Sequence, residues 1–373
     1  MSKLSESICK ILSAILTLAF VLLLGILFFS ALFSGFFTNL DIAIVGLGLI
    51  LSIFVSITVH EGGHLVFGLA SGYKFSSFRI AGLMILKRDG KLRIRTMSIA
   101  GTGGQCLMLP PEPNANGKIP VTLYNLGGVI ANLVLCALFA LGYALSLRHI
   151  VVAYVFLLSA IISMLMAVTN GIPLHVGGIA NDGMNACYLS KNPISAIAFR
   201  NQLLMNAAQG EGVRISEMPD EWFVLPDGAD MQNLHCASIA VFATGRALDR
   251  GDTEAAEREI SALLNSGYNI IGLHRALLVC DLIYCRLVNQ PGSNISHLLS
   301  ADVKKVMKAM RTYPAIIRTE FAIAYIANND EKKATEIKAF FEKATVKFPY
   351  PQEIENERLL ISKVENIRKA DKI

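Results

Sequence analysis

"VSITVHEGGHLVFGLASG", Val55–Gly72, sets two histidines and a glutamate inside a stretch otherwise apolar enough to lie in a membrane. His60 and His64 are four residues apart, so on a helix they project from one face, with Glu61 about 100° round from His60. This is the HExxH arrangement, in which two imidazoles hold a zinc ion and the glutamate moves a proton between a water and a leaving amine. The alternative is a pair of histidines hydrogen-bonded within a helix bundle. At membrane depth an ionisable group needs a partner or a metal to offset its desolvation, which favours a metal. Gly62 and Gly63 leave room for a neighbouring helix or a substrate to approach.

The 373-residue chain is 53% hydrophobic and 17% charged, with a mean hydropathy of +0.49, too apolar for a water-soluble enzyme throughout. Its charge is unevenly placed: before Lys74 the only basic residues are Lys3 and Lys10, whereas the C-terminal half is richly and mixedly charged. A membrane half followed by a water-soluble half is expected. The seven cysteines, Cys9, Cys106, Cys136, Cys187, Cys236, Cys280 and Cys285, form no CxxC pair and no framework spacing, which points to free thiols in a reducing compartment.

Four membrane spans are predicted. Residues 11–37 carry no charge and exceed the roughly 20 residues needed to cross a hydrocarbon core. The run is too long for a signal-peptide h-region, so it reads as a retained span. Residues 42–70 and 119–147 form the second and third. A fourth starts over 150–174 and continues through a Gly-rich stretch to about Leu189, with a break expected near Asn170–Gly178. Lys3, Lys10, the basic loop from Lys74 to Lys118, Lys191 and Arg200 place both termini and that loop on the cytosolic side, as expected for a multi-pass protein of a bacterial cell membrane. The motif then lies near the cytosolic end of the second span.

Within the loop, "LMILKRDGKLRIRTMSI", Leu83–Ile99, alternates apolar and basic residues around Asp89-Gly90, a pair suited to a two-residue hairpin. A membrane-surface hairpin follows, able to dock on anionic lipid or to offer a strand edge to an extended substrate.

A catalytic zinc normally takes three protein ligands and a water. The candidates for the third are Asp182, His175 and His149, of which His149 is expected at the opposite membrane face. Here the chain resembles the site-2 protease family of intramembrane zinc metalloproteases. The resemblance covers about residues 42–190 and rests on His60, Glu61 and His64, then Asn170, Pro173, Asp182 and Gly183 as an Asn-x-x-Pro followed by Asp-Gly. It implies that Asp182 is the third zinc ligand. The family commonly has about four residues between Pro and Asp, whereas "LHVGGIAN" supplies eight, which keeps His175 as a reserve ligand. "NLGGVIAN", Asn125–Asn132, is similar to the family's Gly-Pro-x-x-Asn stretch, with Val129 in place of Pro. Asn132 and Asn170 are each candidates to steady a developing oxyanion, or else serve as helix–helix contacts among the small residues Gly127, Gly128 and Ala131.

"GTGGQ", Gly101–Gln105, lacks the Gly-Lys-Ser/Thr of a phosphate loop and reads as a turn. Residues 193–233 read as a linker, anchored by the lone Trp222. From 234 to 373 the pattern is helical: "ATGRALDRGDTEAAEREISALL" and "AIAYIANNDEKKATEIKAFFEKA" share a helix, a turn and a second helix, with Asp252 and Asp330 as N-caps and Ala256 matching Ala334. They resemble tetratricopeptide-type repeats, whose concave face takes a peptide or protein partner. No basic patch with interleaved aromatics points to nucleic acid.

The expected fold is mainly α and polytopic: an N-terminal helix (1–41), a metalloprotease core (42–192) with a β-hairpin insert at about 74–118, the linker, and a cytosolic helical-repeat domain. The expected function is intramembrane zinc endopeptidase, with Glu61 as general base and then acid. Its substrate class, from the resemblance, is a transmembrane protein or a peptide precursor. Two rival readings are a non-proteolytic adaptor using the metal as a staple, and a transporter, which four spans without an internal repeat disfavour.

Overall fold

The computed structural model describes residues 3–99, 102–176 and 179–370. Its elements run α1 (Lys3–Phe33), α2 (Asn39–Ala70), β1 (Lys74–Ile80), β2 (Leu83–Arg88), β3 (Lys91–Thr96), β4 (Gly104–Leu109), α3 (Val121–Leu145), α4 (Ile150–Gly171), β5 (His175–Val176), β6 (Ile179–Ala180), α5 (Asp182–Leu189), α6 (Pro193–Glu211), α7 (Leu234–Asp249), α8 (Thr253–Asn265), α9 (Gly272–Asn289), α10 (Ala301–Ala309), α11 (Pro314–Ala322), α12 (Glu331–Ala344) and α13 (Pro351–Ala370). They fall into two compact units, Met1–Phe75 with Gly103–Ala196, and Ser76–Thr102 with Ile197–Ile373.

In the first unit α1 to α4 are each long and apolar enough to cross a membrane, and side chains such as Ile50 and Leu138 stand exposed on their outer faces. α1 starts before residue 11 because its polar first turns support themselves, Lys10 Nζ lying 2.8 Å from Glu6 Oε1 one turn back. α2 opens on a capping box: Asp41 N donates to Thr38 Oγ1 (3.2 Å) and Thr38 N to Asp41 Oδ2 (2.9 Å). It packs against α3 and α4, and α1 packs on α4. Two hydroxyl pairs one turn apart, Ser52–Ser159 (2.5 Å) and Ser56–Ser163 (2.9 Å), tie α2 to α4 and fix their register, while Ser52 and Ser159 also reach the Gly48 and Val155 carbonyls of their own helices. α4 stops at Gly171, within the expected break; Gly177 and Gly178 lie outside the described residues.

β4 runs beside α2. "GTGGQ" therefore leads into a strand instead of forming only a turn; Gly101 itself lies outside the described residues.

In the second unit β1, β2 and β3 form an antiparallel meander, with Phe78 opposite Ile85 and Ile85 opposite Ile94. Asp89 and Gly90 both have positive φ (51° and 72°), the requirement of a tight two-residue hairpin. Met84 and Leu86 point from one face into the core of this unit, while Leu92 and Ile94 are each 66% exposed on the other. The expected linker is a correction: residues 193–211 form α6, a helix that opens on Pro193. Trp222 is half-buried, and its carbonyl accepts from Asn201 Nδ2 of α6 (3.1 Å).

The two expected helical hairpins are α7–α8 and α11–α12. Asp252 Oδ1 accepts from Ala255 N (2.9 Å) and Asp330 Oδ1 from Lys333 N (2.8 Å), while Ala256 and Ala334 are both buried. A π-helical turn, Ile323–Ala327, extends α11. The centre of the unit is polar as well as apolar. Arg318 is fully buried, donating to Asp281 Oδ1 (2.5 Å) and Glu357 Oε1 (3.4 Å) with its guanidinium over the Tyr284 ring. Beside it burial, reinforced by Glu357 and Asp281, pushes the Glu353 carboxyl up to about 8.

Because the folded Glu353 holds its proton far above the ordinary carboxylate range, its contribution to stability is complete below about pH 4.5 and is lost as pH rises to about 8. The melting temperature of the second unit's transition should fall between pH 6 and pH 9, and Glu353→Gln should flatten that fall. Arg318→Met should lower stability by about 3–5 kcal/mol, since it leaves buried acids without their counter-charge; denaturant titration measures it.

Candidate metal centre

α2 carries His60 and His64 on one face, and both are buried. α5 brings Asp182 to them: His60 Nε2 lies 3.0 Å and His64 Nε2 3.5 Å from Asp182 Oδ2, and the two imidazole nitrogens are 3.3 Å apart. Among the described residues this is the one His/Cys/Asp/Glu group able to hold a metal ion. Three ligand atoms at the corners of a tetrahedron with bonds of about 2.05 Å stand ~3.3 Å from one another, which is the spacing found. Asp182 Oδ2 is buried, and the polar atoms facing it are the two imidazole Nε2 atoms, with which it could share one cation.

The ring nitrogens facing away from the group are also engaged. His64 Nδ1 donates to the Tyr124 carbonyl (2.9 Å), leaving the Nε2 lone pair for a metal. His60 Nδ1 lies 3.3 Å from the Asn132 amide, whose Oδ1 is buried without a hydrogen bond. A half-turn of that amide lets Oδ1 accept the Nδ1 proton, which likewise frees Nε2. Asn132 thus faces a histidine ring, where it positions the imidazole. Asn170 donates from Nδ2 to Met166 O in its own helix (2.9 Å).

Close packing makes the site possible. A Cβ on Gly128 of α3 would lie 2.6 Å from the His60 ring, one on Gly63 would lie 2.3 Å from Gly127 O, and one on Gly104 of β4 would lie 2.7 Å from Glu61 Oε1. The His60 ring therefore rests on bare α3 backbone, and Glu61 lies along the start of β4. Gly62, by contrast, faces open space.

The long spacer before Asp182 is absorbed by the β5–β6 hairpin, which pairs His175 with Ala180 and returns the chain to α2. His175 sits 3.7 Å from Glu6 Oε1 and outside the metal-binding group, so the reserve ligand is ruled out as a member of this group; His149 immediately precedes α4 and is also outside it. One site-building residue escaped the sequence reading. Asn181, the N-cap of α5, accepts at Oδ1 from Met184 N (2.9 Å) and Leu174 N (3.0 Å) and donates from Nδ2 to Thr169 O (2.8 Å) and Ile172 O (2.7 Å). All its hydrogen-bonding capacity is spent joining the end of α4 to the start of α5, next to Asp182. Its signal was an Asn directly before a short helix opening on Asp-Gly.

Comparison with protein-family models, curated proteins and solved structures returns no match.

Asn132→Ala should weaken metal binding by about 10–100-fold, the usual cost of losing a group that orients a metal-ligating histidine; competition against a chromophoric chelator measures it. Asn181→Ala should weaken it as well by freeing the α4–α5 junction, with the four spans still formed by circular dichroism.

Proposed function

We propose that the chain is a multi-pass zinc endopeptidase of the membrane, with both termini on the cytosolic side, that cuts a peptide bond in or beside the membrane segment of another protein or a peptide precursor. The observation that carries this reading is the spacing of His60, His64 and Asp182 at the corners of a tetrahedral site, with Glu61 next to His60 on the same helix. Four membrane-length helices and the resemblance of the motifs to site-2 proteases support it. Two imidazoles and one carboxylate are a donor set suited to zinc, which when bound would polarise the scissile carbonyl and acidify a water.

The chain's own residues do the rest. A Glu61 carboxylate oxygen takes a proton from the attacking water and delivers it to the leaving amine nitrogen as the C–N bond breaks. Asn132 and the Tyr124 carbonyl keep the imidazoles in the tautomer that leaves both Nε2 atoms free. The substrate has to be unwound locally, since a helical peptide hides its scissile carbonyl in a hydrogen bond. Leu92 and Ile94, beside Lys87 and Lys91, suit contact of the meander with the anionic surface of the bilayer.

Glu61→Gln should abolish cleavage of a co-expressed membrane substrate while leaving zinc content unchanged, whereas His60→Ala should remove both. Immunoblotting for the cleaved fragment together with elemental analysis of the purified protein reads the two outcomes. Undiminished cleavage by Glu61→Gln would refute the reading; loss of folding on metal removal with function intact in Glu61→Gln would favour a structural staple.

A further inference from the structure

In the helical unit a groove of about 740 Å³ runs between α10, the π-helical end of α11, and α12. Its apolar lining comes from Leu299, Met307, Ile323, Ala324, Ile337 and Phe340, the last 40% exposed. A volume of this size holds several apolar side chains and leaves them unfilled by the chain itself.

The walls are charged with one sign in excess. Lys304 and Lys308 lie one turn apart on α10 and Arg311 follows in the turn after it; all three are exposed and line the groove beside the apolar residues. Lys333 on the facing helix adds a fourth cation, paired with Glu336 (3.1 Å); Glu320 is the other acid in the groove. Four basic groups against two acidic ones leave the groove positive. The π-helical turn adds an independent sign, because such an irregularity interrupts good helical hydrogen bonding and recurs at functional sites; here it supplies Ile323 and Ala324 to the lining.

We infer that this groove docks an acidic amphipathic helix of another protein, its apolar face on Met307, Ile323, Ile337 and Phe340 and its carboxylates along Lys304, Lys308 and Arg311. The match is one of charge and shape: an apolar stripe flanked by acids is the complement of an apolar lining flanked by a row of basic residues. The site is made wholly from residues of the helical unit, so binding there stands or falls separately from proteolysis.

The test is fluorescence anisotropy on the full-length protein in nanodiscs of zwitterionic lipid. The probes are two labelled helical peptides with the same leucine face, one carrying glutamates and the other lysines on the opposite face. The glutamate peptide should bind more tightly and lose affinity as salt rises. K304E/K308E/R311E, all at exposed positions, should weaken it by about tenfold, the scale of three exposed ion pairs, and reverse the preference. Phe340→Ser should weaken the glutamate peptide without changing its salt dependence. Equal binding of the two peptides, or an unchanged preference in the charge-reversed protein, would overturn the inference.

Discussion

The chain's central constraint is that two imidazoles and two carboxylates have to be satisfied inside a bundle of apolar helices. A buried charge without a partner costs several kcal/mol. His60, His64 and Asp182 meet it jointly, because their ligand atoms converge to within 4.8 Å of one another on a space sized for one cation. The path of α5, the hairpin before it, and the hydrogen bonds behind each histidine all serve that convergence.

Convergence also requires helices to come closer than ordinary side chains allow. Gly63 and Gly127 let α2 and α3 meet backbone to backbone, and Gly128 gives the His60 ring its seat. The serine pairs then hold α2 on α4, the helix from whose end Asp182 is delivered. Small residues and hydroxyls thus perform in this bundle the task that large apolar side chains perform in a soluble core, since exclusion of water gives little drive for one apolar helix to prefer another. The helical unit follows the other rule, with Ile283, Leu287 and Phe341 filling its interior.

How legible these features were depended on their range. The i, i+4 spacing of His60 and His64, the Asp89-Gly90 turn and the Asp252 and Asp330 caps are local, and each is read from a few adjacent residues. Asp182 was one of three candidates for the third ligand and was singled out only by resemblance, because nothing local says that a carboxylate so far along the chain returns to α2. Asn181 was missed for a related reason: a lone Asn is common, and only the folded junction shows that it joins four backbone groups. β4 was hidden behind its glycines, which suggested a turn although Gly104 is small so that Glu61 can lie against it. α6 was read as linker since its apolar residues do not fall on a single stripe, even though Pro193 marks a helix start.

The most direct measurement of the central claim is zinc-edge X-ray absorption on the purified full-length protein and on Asp182→Ala. The expected spectrum is a four-coordinate shell of nitrogen and oxygen at about 2.0–2.1 Å, with outer-shell scattering from two imidazoles, and the shell should lose its ordered oxygen in Asp182→Ala. A sulfur shell near 2.3 Å, a single imidazole, or a spectrum unchanged by the substitution would contradict it.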